Sequence, residues 1–238
     1  GMDGKVLDTM QVQGRAGLNH ASWDLLLPAP ARPVLRSLPA DNPHIWEQGR
    51  WQGRERPVTH WGLGAAGWQP RASPGKYTVR MTLNGREYTQ PFEMWRDVTL
   101  PSNDADLIAG TTLQRDIVSA VNDVVDKINR IEIMREQVEK LRANPDLKPN
   151  DAALAAIYDK MYTTELNYLT KTEMHSDDKW YVEKYKLYMN LIWMLGEVGG
   201  GASDVAGGVA YGPTSSQLNV YEDQLKELNA ANAAFAKL

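Results

Sequence analysis

The sequence predicts an α+β protein, with an antiparallel β-sandwich followed by an antiparallel bundle of about four helices. Residues 1–100 are rich in Gly, Pro and Trp and contain short alternating runs, whereas residues 101–238 place apolar side chains every three or four positions. The 238 residues are enough for two domains of ordinary size. We therefore predict a sandwich domain over 1–100 and a helical domain over 101–238.

Composition excludes several classes of protein. The net charge is −4, with 12 basic and 9 acidic residues in 1–100 against 14 and 21 in 101–238. Neither half has the basic excess of a nucleic-acid-binding surface. The mean hydropathy is −0.47, and no apolar run approaches the ~18 residues that a membrane span needs. The absence of cysteine removes disulfides and thiolate chemistry.

Two alternating runs indicate a β-hairpin, 76–83 and 86–94, joined by Asn84 and Gly85. An Asn-Gly pair favours the two-residue turn of a hairpin, because both central residues need positive φ. Tyr77, Val79, Met81 and Leu83 alternate with polar residues and should share one face.

Two earlier runs predict further strands of the sandwich. Residues 6–12 carry apolar side chains up to Gly14, and in residues 18–25 Trp23 and Leu25 can share a buried face. Several short antiparallel strands make a sandwich the expected architecture.

The order of these motifs resembles a known family. The stretches Gly17–Asp24 and Pro74–Val79, followed by helices, look like the C-terminal region of bacterial BNR-repeat, sortilin-like β-propeller proteins. The resemblance implies an Ig/FnIII-like sandwich, a periplasmic or extracellular location and the propeller as partner. Proteins of this kind are often labelled glycosyl hydrolases. Any such activity would belong to the propeller, whose repeated blades this sequence lacks.

A Trp-rich insert, residues 28–73, separates the second strand from the hairpin. Such a long connection is usually a functional or docking element. The indoles and guanidinium groups could bind a glycan or protein ligand, or could pack against other parts of the protein. The candidate ligand or interface residues are Trp46, Trp51, Trp61, Trp68, Arg50 and Arg54.

Helical spacing is clearest after Pro101. Ser102 or Asn103 can cap a helix from Asp104, which should end at Asn144, before a proline. Its apolar stripe has intervals of three and four and comprises Ile117, Val121, Val124, Ile128, Ile131, Met134, Val138 and Leu141.

Three further helices are predicted. One follows Asn150, one follows residues 176–178 and ends at Gly199, and the last begins at a capping box, Thr214 to Gln217. We expect these helices to pack on the first, although its heptad spacing is also compatible with a coiled-coil oligomer.

The sequence contains no recognisable catalytic or metal-binding constellation. Glu132, Glu136 and Glu139 lie near Arg135 and Lys140, which is typical of a solvated helix face. The four histidines lack a ligand spacing, so no metal or cofactor is predicted. Paired carboxylates brought together by folding remain an open possibility. Asp24 is the carboxylate to watch, although a strand-end hydrogen-bond acceptor is the simpler interpretation.

Three hypotheses follow. The first is a non-catalytic accessory region that packs on or caps a β-propeller of the parent protein. The second is a carbohydrate-binding or hydrolase-accessory module that uses the Trp-rich insert. The third is a protein-binding adaptor, and it requires an exposed apolar stripe on residues 117–141.

Overall fold

The computed structural model describes residues 5–37, 55–60, 63–64, 68–99, 101–171, 174–175, 183–199 and 211–238. It contains four α-helices: α1 (Asp104–Arg142), α2 (Asp151–Glu165), α3 (Leu187–Val198) and α4 (Ser215–Phe235), and a 3₁₀ helix at Pro145–Asn150 precedes α2. Two of its strands are long, β5 (Gly75–Leu83) and β6 (Arg86–Met94). The remaining strands have two residues each: β1 (Val34–Leu35), β2 (Arg56–Pro57), β3 (Thr59–His60), β4 (Leu63–Gly64) and β7 (Met174–His175).

The prediction of a β-sandwich is wrong. β5 pairs with β6 and β1 with β2, both antiparallel, while β3 pairs with β4 and β7. The predicted strands at 6–12 and 18–25 form no ladder; apart from an isolated bridge between Leu26 and Arg71, the segment is irregular. Leu25 is exposed and has φ of 65°, so it shares no buried face with Trp23. The described strands thus do not form two facing sheets.

The predicted hairpin is present. β5 and β6 pair from Gly75 with Met94 to Leu83 with Arg86. Asn84 and Gly85 have φ of 51° and 77°, as the type I′ turn requires.

The helices follow their sequence signals closely. Asn103 Oδ1 accepts a hydrogen bond from the Asp106 N–H at 2.9 Å and caps α1. Thr214 and Gln217 form the reciprocal capping box of α4, because each side chain accepts from the other's backbone N–H. α3 begins at Leu187, and residues 183–186 before it are not helical. Residues 176–182, where the sequence predicts that this helix starts, lie outside the described residues.

The chain folds as two compact units that do not follow chain order. Unit 1 comprises Gly1–Ala29, Trp68–Asp116 and Leu195–Gln217. Unit 2 comprises Pro30–Gly67, Ile117–Met194 and Leu218–Leu238.

Unit 2 buries the apolar stripe of α1 from Ile117 to Ile131, whereas Leu141 at the end of the stripe is exposed. Ile117, Val121, Val124, Ile128 and Ile131 have no exposed surface. The exposed stripe that the third hypothesis requires over residues 117–141 is therefore not found over residues 117–131. Burial of this kind stabilises a domain by about 1.5–3 kcal/mol for each large aliphatic side chain.

Candidate interaction surface

The β5–β6 hairpin of unit 1 is an amphipathic ribbon. Because side chains alternate along a strand, Tyr77, Val79 and Met81 share a face with their cross-strand partners on β6. These partners are Phe92, Gln90 and Tyr88, so the face is mainly apolar. The opposite face is polar and comprises Lys76, Thr78, Arg80, Thr82, Glu87, Thr89, Pro91 and Glu93.

The base of the apolar face is covered. Tyr77 and Phe92 stack with ring centroids 5.5 Å apart, and Trp23 contacts Tyr77 edge-to-face at 6.1 Å. The Trp23 indole donates to the Leu26 carbonyl at 3.1 Å, and the Tyr77 hydroxyl donates to the Ser73 carbonyl. Aromatic pairs of this geometry add about 0.5–1.5 kcal/mol beyond burial, so they anchor the base of the ribbon.

The distal half of the same face is open. Val79, Met81, Leu83 and Tyr88 keep 50–54% of their surface exposed. A two-stranded ribbon has no second layer to bury its apolar face and is marginally stable alone. Four neighbouring apolar side chains in this state are typical of a surface that meets a partner.

Charges on the polar face are segregated by strand. Lys76 and Arg80 lie on β5, while Glu87 and Glu93 lie on β6. The Arg80 guanidinium is 3.9 Å from the Glu87 carboxylate, and both side chains are more than half exposed. Such a pair contributes little to stability, so Arg80 is available to a further acidic group.

The two outer edges of the ribbon differ. In a two-residue hairpin the closing pair, Leu83 and Arg86, exchanges backbone hydrogen bonds, and the pattern then alternates along the strands. Every second pair, such as Thr78 with Pro91, is therefore not hydrogen-bonded within the hairpin. The N–H and C=O groups of these residues point away from the partner strand, toward the outer edges of the ribbon. On β5 the outward positions Lys76, Thr78, Arg80 and Thr82 all carry an N–H, whereas on β6 Pro91 has none.

Five of the six candidate ligand residues, Trp46, Trp51, Trp61, Arg50 and Arg54, lie outside the described residues. The sixth, Trp68, is half-buried in unit 1 and lies against α3. A Cβ on Gly196 would be 2.8 Å from its indole. Trp68 therefore packs on a helix through a contact that only glycine permits.

Asp24 has the simpler of its two predicted roles. Its Oδ1 accepts the Leu26 N–H at 2.9 Å, which stabilises the turn before the bridge to Arg71.

A buried ionic cluster lies in unit 2, on the side of α1 that the sequence indicates as solvated. That expectation is wrong for Glu132 and Arg135, because both side chains are completely buried. The Arg135 guanidinium donates to Glu132 at 2.9 Å and also to Glu165 of α2. Glu132 further accepts from the Ser37 hydroxyl at 2.6 Å and the Ser37 N–H at 2.8 Å.

Two tyrosines complete this cluster. The Arg135 guanidinium lies 4.8 Å from the Tyr158 ring centroid and 4.9 Å from that of Tyr162. It donates to the Tyr158 hydroxyl at 2.8 Å, which in turn donates to Glu139. Burial alone would lower the pKa of Arg135, but the charges of Glu165 and Glu132 outweigh it and raise that pKa.

The chemistry available to the cluster is limited. Burial, together with the hydrogen bond to Glu139, raises the pKa of the Tyr158 hydroxyl, so the phenol stays neutral. The Glu132 carboxylate accepts several donors and has no exposed surface, so it cannot reach a substrate as a general base. We interpret the cluster as a structural ionic network.

The signal that could have revealed the network lies in its spacing. Glu132 follows Ile128 by four residues, and Arg135 follows Ile131 by four. Both therefore continue the buried stripe rather than the opposite face. A charged pair at stripe positions indicates burial with partners from other helices.

A second polar group joins α1 to α4 within unit 2. Asn232 donates to the Asp123 carboxylate at 2.7 Å and accepts the Tyr168 hydroxyl at 3.0 Å. The Lys127 ammonium lies 2.7 Å from the same carboxylate. Burial raises the pKa of Asp123, but hydrogen bonds from Lys127 and Asn232 outweigh that effect, and the net shift is downward.

Among the described residues, no group of three acidic or histidine side chains is arranged to hold a metal ion. Within the same part of the chain, no helix is long and apolar enough to cross a bilayer.

Comparison with known proteins gives no relative. No family model, no curated protein and no solved structure matches the chain.

Proposed function

We propose that the chain is a non-catalytic interaction region that docks on a β-rich partner through its hairpin. The observation that carries this proposal is the open apolar face of β5 and β6, formed by Val79, Met81, Leu83 and Tyr88 at about half exposure. Its base is fixed by Trp23, so the ribbon is anchored while its distal half is left for a partner.

The form of the surface favours a sheet as the partner. A strand pair that is apolar on one face usually packs on another sheet about 10 Å away. The described strands of this chain supply no such sheet. Following the motif resemblance, we propose the β-propeller of the parent protein as that partner. A periplasmic or extracellular location belongs to the same proposal.

Other features favour a non-catalytic role. In the network around Arg135 the Glu132 and Glu165 carboxylates are buried against the guanidinium, and the Asp24 carboxylate stabilises a turn. Neither arrangement presents an acid and a base to a substrate.

The test is site-specific photo-crosslinking in the source cells. A benzoylphenylalanine at position 81 replaces Met81 on the apolar face, and the matched control replaces Thr82, its neighbour on the polar face. We expect position 81, and not position 82, to crosslink to peptides of a β-propeller. Equal crosslinking at both positions, no crosslinking, or crosslinks only to proteins without a propeller would overturn the proposal.

A further inference from the structure

The backbone edge of β5 has the properties of a site for strand addition. In the described part of the chain no strand pairs with this edge. Its outward positions carry complete N–H and C=O groups, and the side chains of Thr78, Arg80 and Thr82 are exposed. Such an edge is a template for an extended segment.

The edge of β6 is interrupted at the corresponding place. Pro91 occupies an outward position and has no N–H to donate. A strand added to β6 would lose a ladder hydrogen bond near the middle of the ribbon. The two edges are therefore not equivalent, and β5 is the better acceptor.

Charge decides what kind of strand suits β5. On the polar face, β5 itself carries Lys76 and Arg80 and no acidic residue, while Glu87 and Glu93 lie on β6. Opposite charges in cross-strand pairs are stabilising, whereas like charges directly opposite are destabilising. An added strand should place carboxylates beside these two cations and β-branched residues beside Tyr77, Val79 and Met81.

A second copy of the chain fits poorly in either arrangement. Pairing β5 with β5 would bring the basic residues of both copies onto one face of the new sheet. Pairing β6 of one copy with β5 of another would bring opposite charges together. However, Pro91 lies on the outer edge of β6 and has no N–H to donate to the other copy. The same proline thus opposes open-ended assembly of copies.

We infer that the β5 edge, residues 76–82, binds an extended acidic strand of another protein or domain by β-strand addition. The inference rests on the proposed function only in taking the hairpin as the docking element. To the proposed function it adds which edge of the hairpin binds, that backbone hydrogen bonds hold the bound strand, and that this strand is acidic.

The test uses two peptide probes and the full chain. The acidic probe is acetyl-Thr-Val-Glu-Ile-Glu-Val-Thr-amide, and its counterpart has Lys at both Glu positions. Titration into ¹⁵N-labelled chain should shift the amides of Lys76, Thr78, Arg80 and Thr82. We expect the acidic probe to bind at least tenfold more tightly than the basic one at low salt.

A matched pair of proline variants identifies the edge. Thr78→Pro removes an outward N–H from β5, and Thr89→Pro removes one from β6, while neither N–H takes part in the hairpin ladder. We expect Thr78→Pro to weaken binding of the acidic probe at least tenfold and Thr89→Pro less than threefold. Contacts between the stacked rings of Tyr77 and Phe92 report that the hairpin is intact.

If Thr78→Pro disrupts the hairpin, the double variant Lys76→Gln/Arg80→Gln keeps every N–H of β5, puts no carboxylate opposite Glu93, and should remove the preference of the chain for the acidic probe. Equal binding of both probes by the wild-type chain, no binding at millimolar concentration, equal loss in the two proline variants, or β5 amides already protected in the free chain would overturn the inference. Self-association through β5 would do the same. A propeller crosslink at position 81 without peptide binding would remove this inference alone, whereas peptide binding without that crosslink would remove only the proposed partner.

Discussion

Arg135 donates a hydrogen bond to Glu132 at 2.9 Å, one turn earlier on the same helix, and neither side chain has any exposed surface. Charges in such a position are tolerated only when their partners satisfy them, and here the partners come from three places: α1, α2 and the segment at Ser37. The network therefore links parts of unit 2 that are distant in sequence, and its hydrogen bond between Ser37 and Glu132 alone spans 95 positions.

We expect Arg135→Met to destabilise the chain by about 3–5 kcal/mol, because Glu132 and Glu165 would be left as buried charges without their cation. Urea unfolding followed by circular dichroism measures this loss. The matched control is Arg130→Met on the same helix, whose side chain is 59% exposed and stacks on Phe235. It should lose less than about 1 kcal/mol. Similar losses in both variants would contradict the structural role of the network.

We expect Asp123→Asn to lower stability at neutral pH but not in acid. The pKa of Asp123 is below its ordinary value in the folded state, so this carboxylate stabilises the protein above about pH 4. That contribution is lost as the pH falls through the folded pKa. Unfolding free energies measured from pH 7 to pH 2 should converge for wild type and variant. In a Lys127→Met background the pH-dependent difference should shrink, and an unchanged difference would argue against the hydrogen bond from Lys127 as its cause.

Gly196→Ala tests the contact of Trp68. The new Cβ would lie 2.8–3.1 Å from rigid indole atoms, so the ring or the helix must shift, at about 1–3 kcal/mol. The wavelength of the Trp68 fluorescence maximum should shift in the same variant. Gly110→Ala on α1 is the control, because its Cβ would have no neighbour within 4 Å. That variant should be stabilised by up to about 1 kcal/mol, and loss of stability in both would contradict the packing argument.

Thr214→Ala should destabilise α4 by about 1 kcal/mol, because the Gln217 N–H loses its side-chain acceptor at 3.2 Å. Thermal unfolding checks this value. Ser216→Ala, inside the first turn, should be neutral or slightly stabilising. A loss at Ser216 equal to that at Thr214 would show that the capping box is not the cause.

Local signals predicted local structure well. Asn84 and Gly85 specify the hairpin through their positive φ, and the cap at Asn103 together with the 3–4 spacing specifies α1. These signals act within a few residues. They need no knowledge of which elements meet.

The failures concern long-range partners. Residues 6–12 alternate as a strand does, but a strand needs a neighbour, and none of the described strands pairs with them. In the sequence, Glu132 and Arg135 resemble residues of a solvated helix face. Their burial depends on Ser37 and Glu165, which are distant in sequence. The exposure of the apolar face of the hairpin could not be predicted either. The alternation of Val79 and Met81 predicts that a second sheet covers this face, and the described strands do not supply one.

The hydrogen bond between Asp123 and Asn232 spans 109 residues, and this has a consequence for biosynthesis. While the ribosome is still making residues 143–231, α1 can form by local contacts, but its partner at position 232 does not yet exist. Unit 2 can close only after Leu218–Leu238 has left the exit tunnel. Until then the face of α1 at Asp123, Lys127 and Arg130 lacks Asn232 and Phe235 in the nascent chain, and we expect chaperones to bind the incomplete unit.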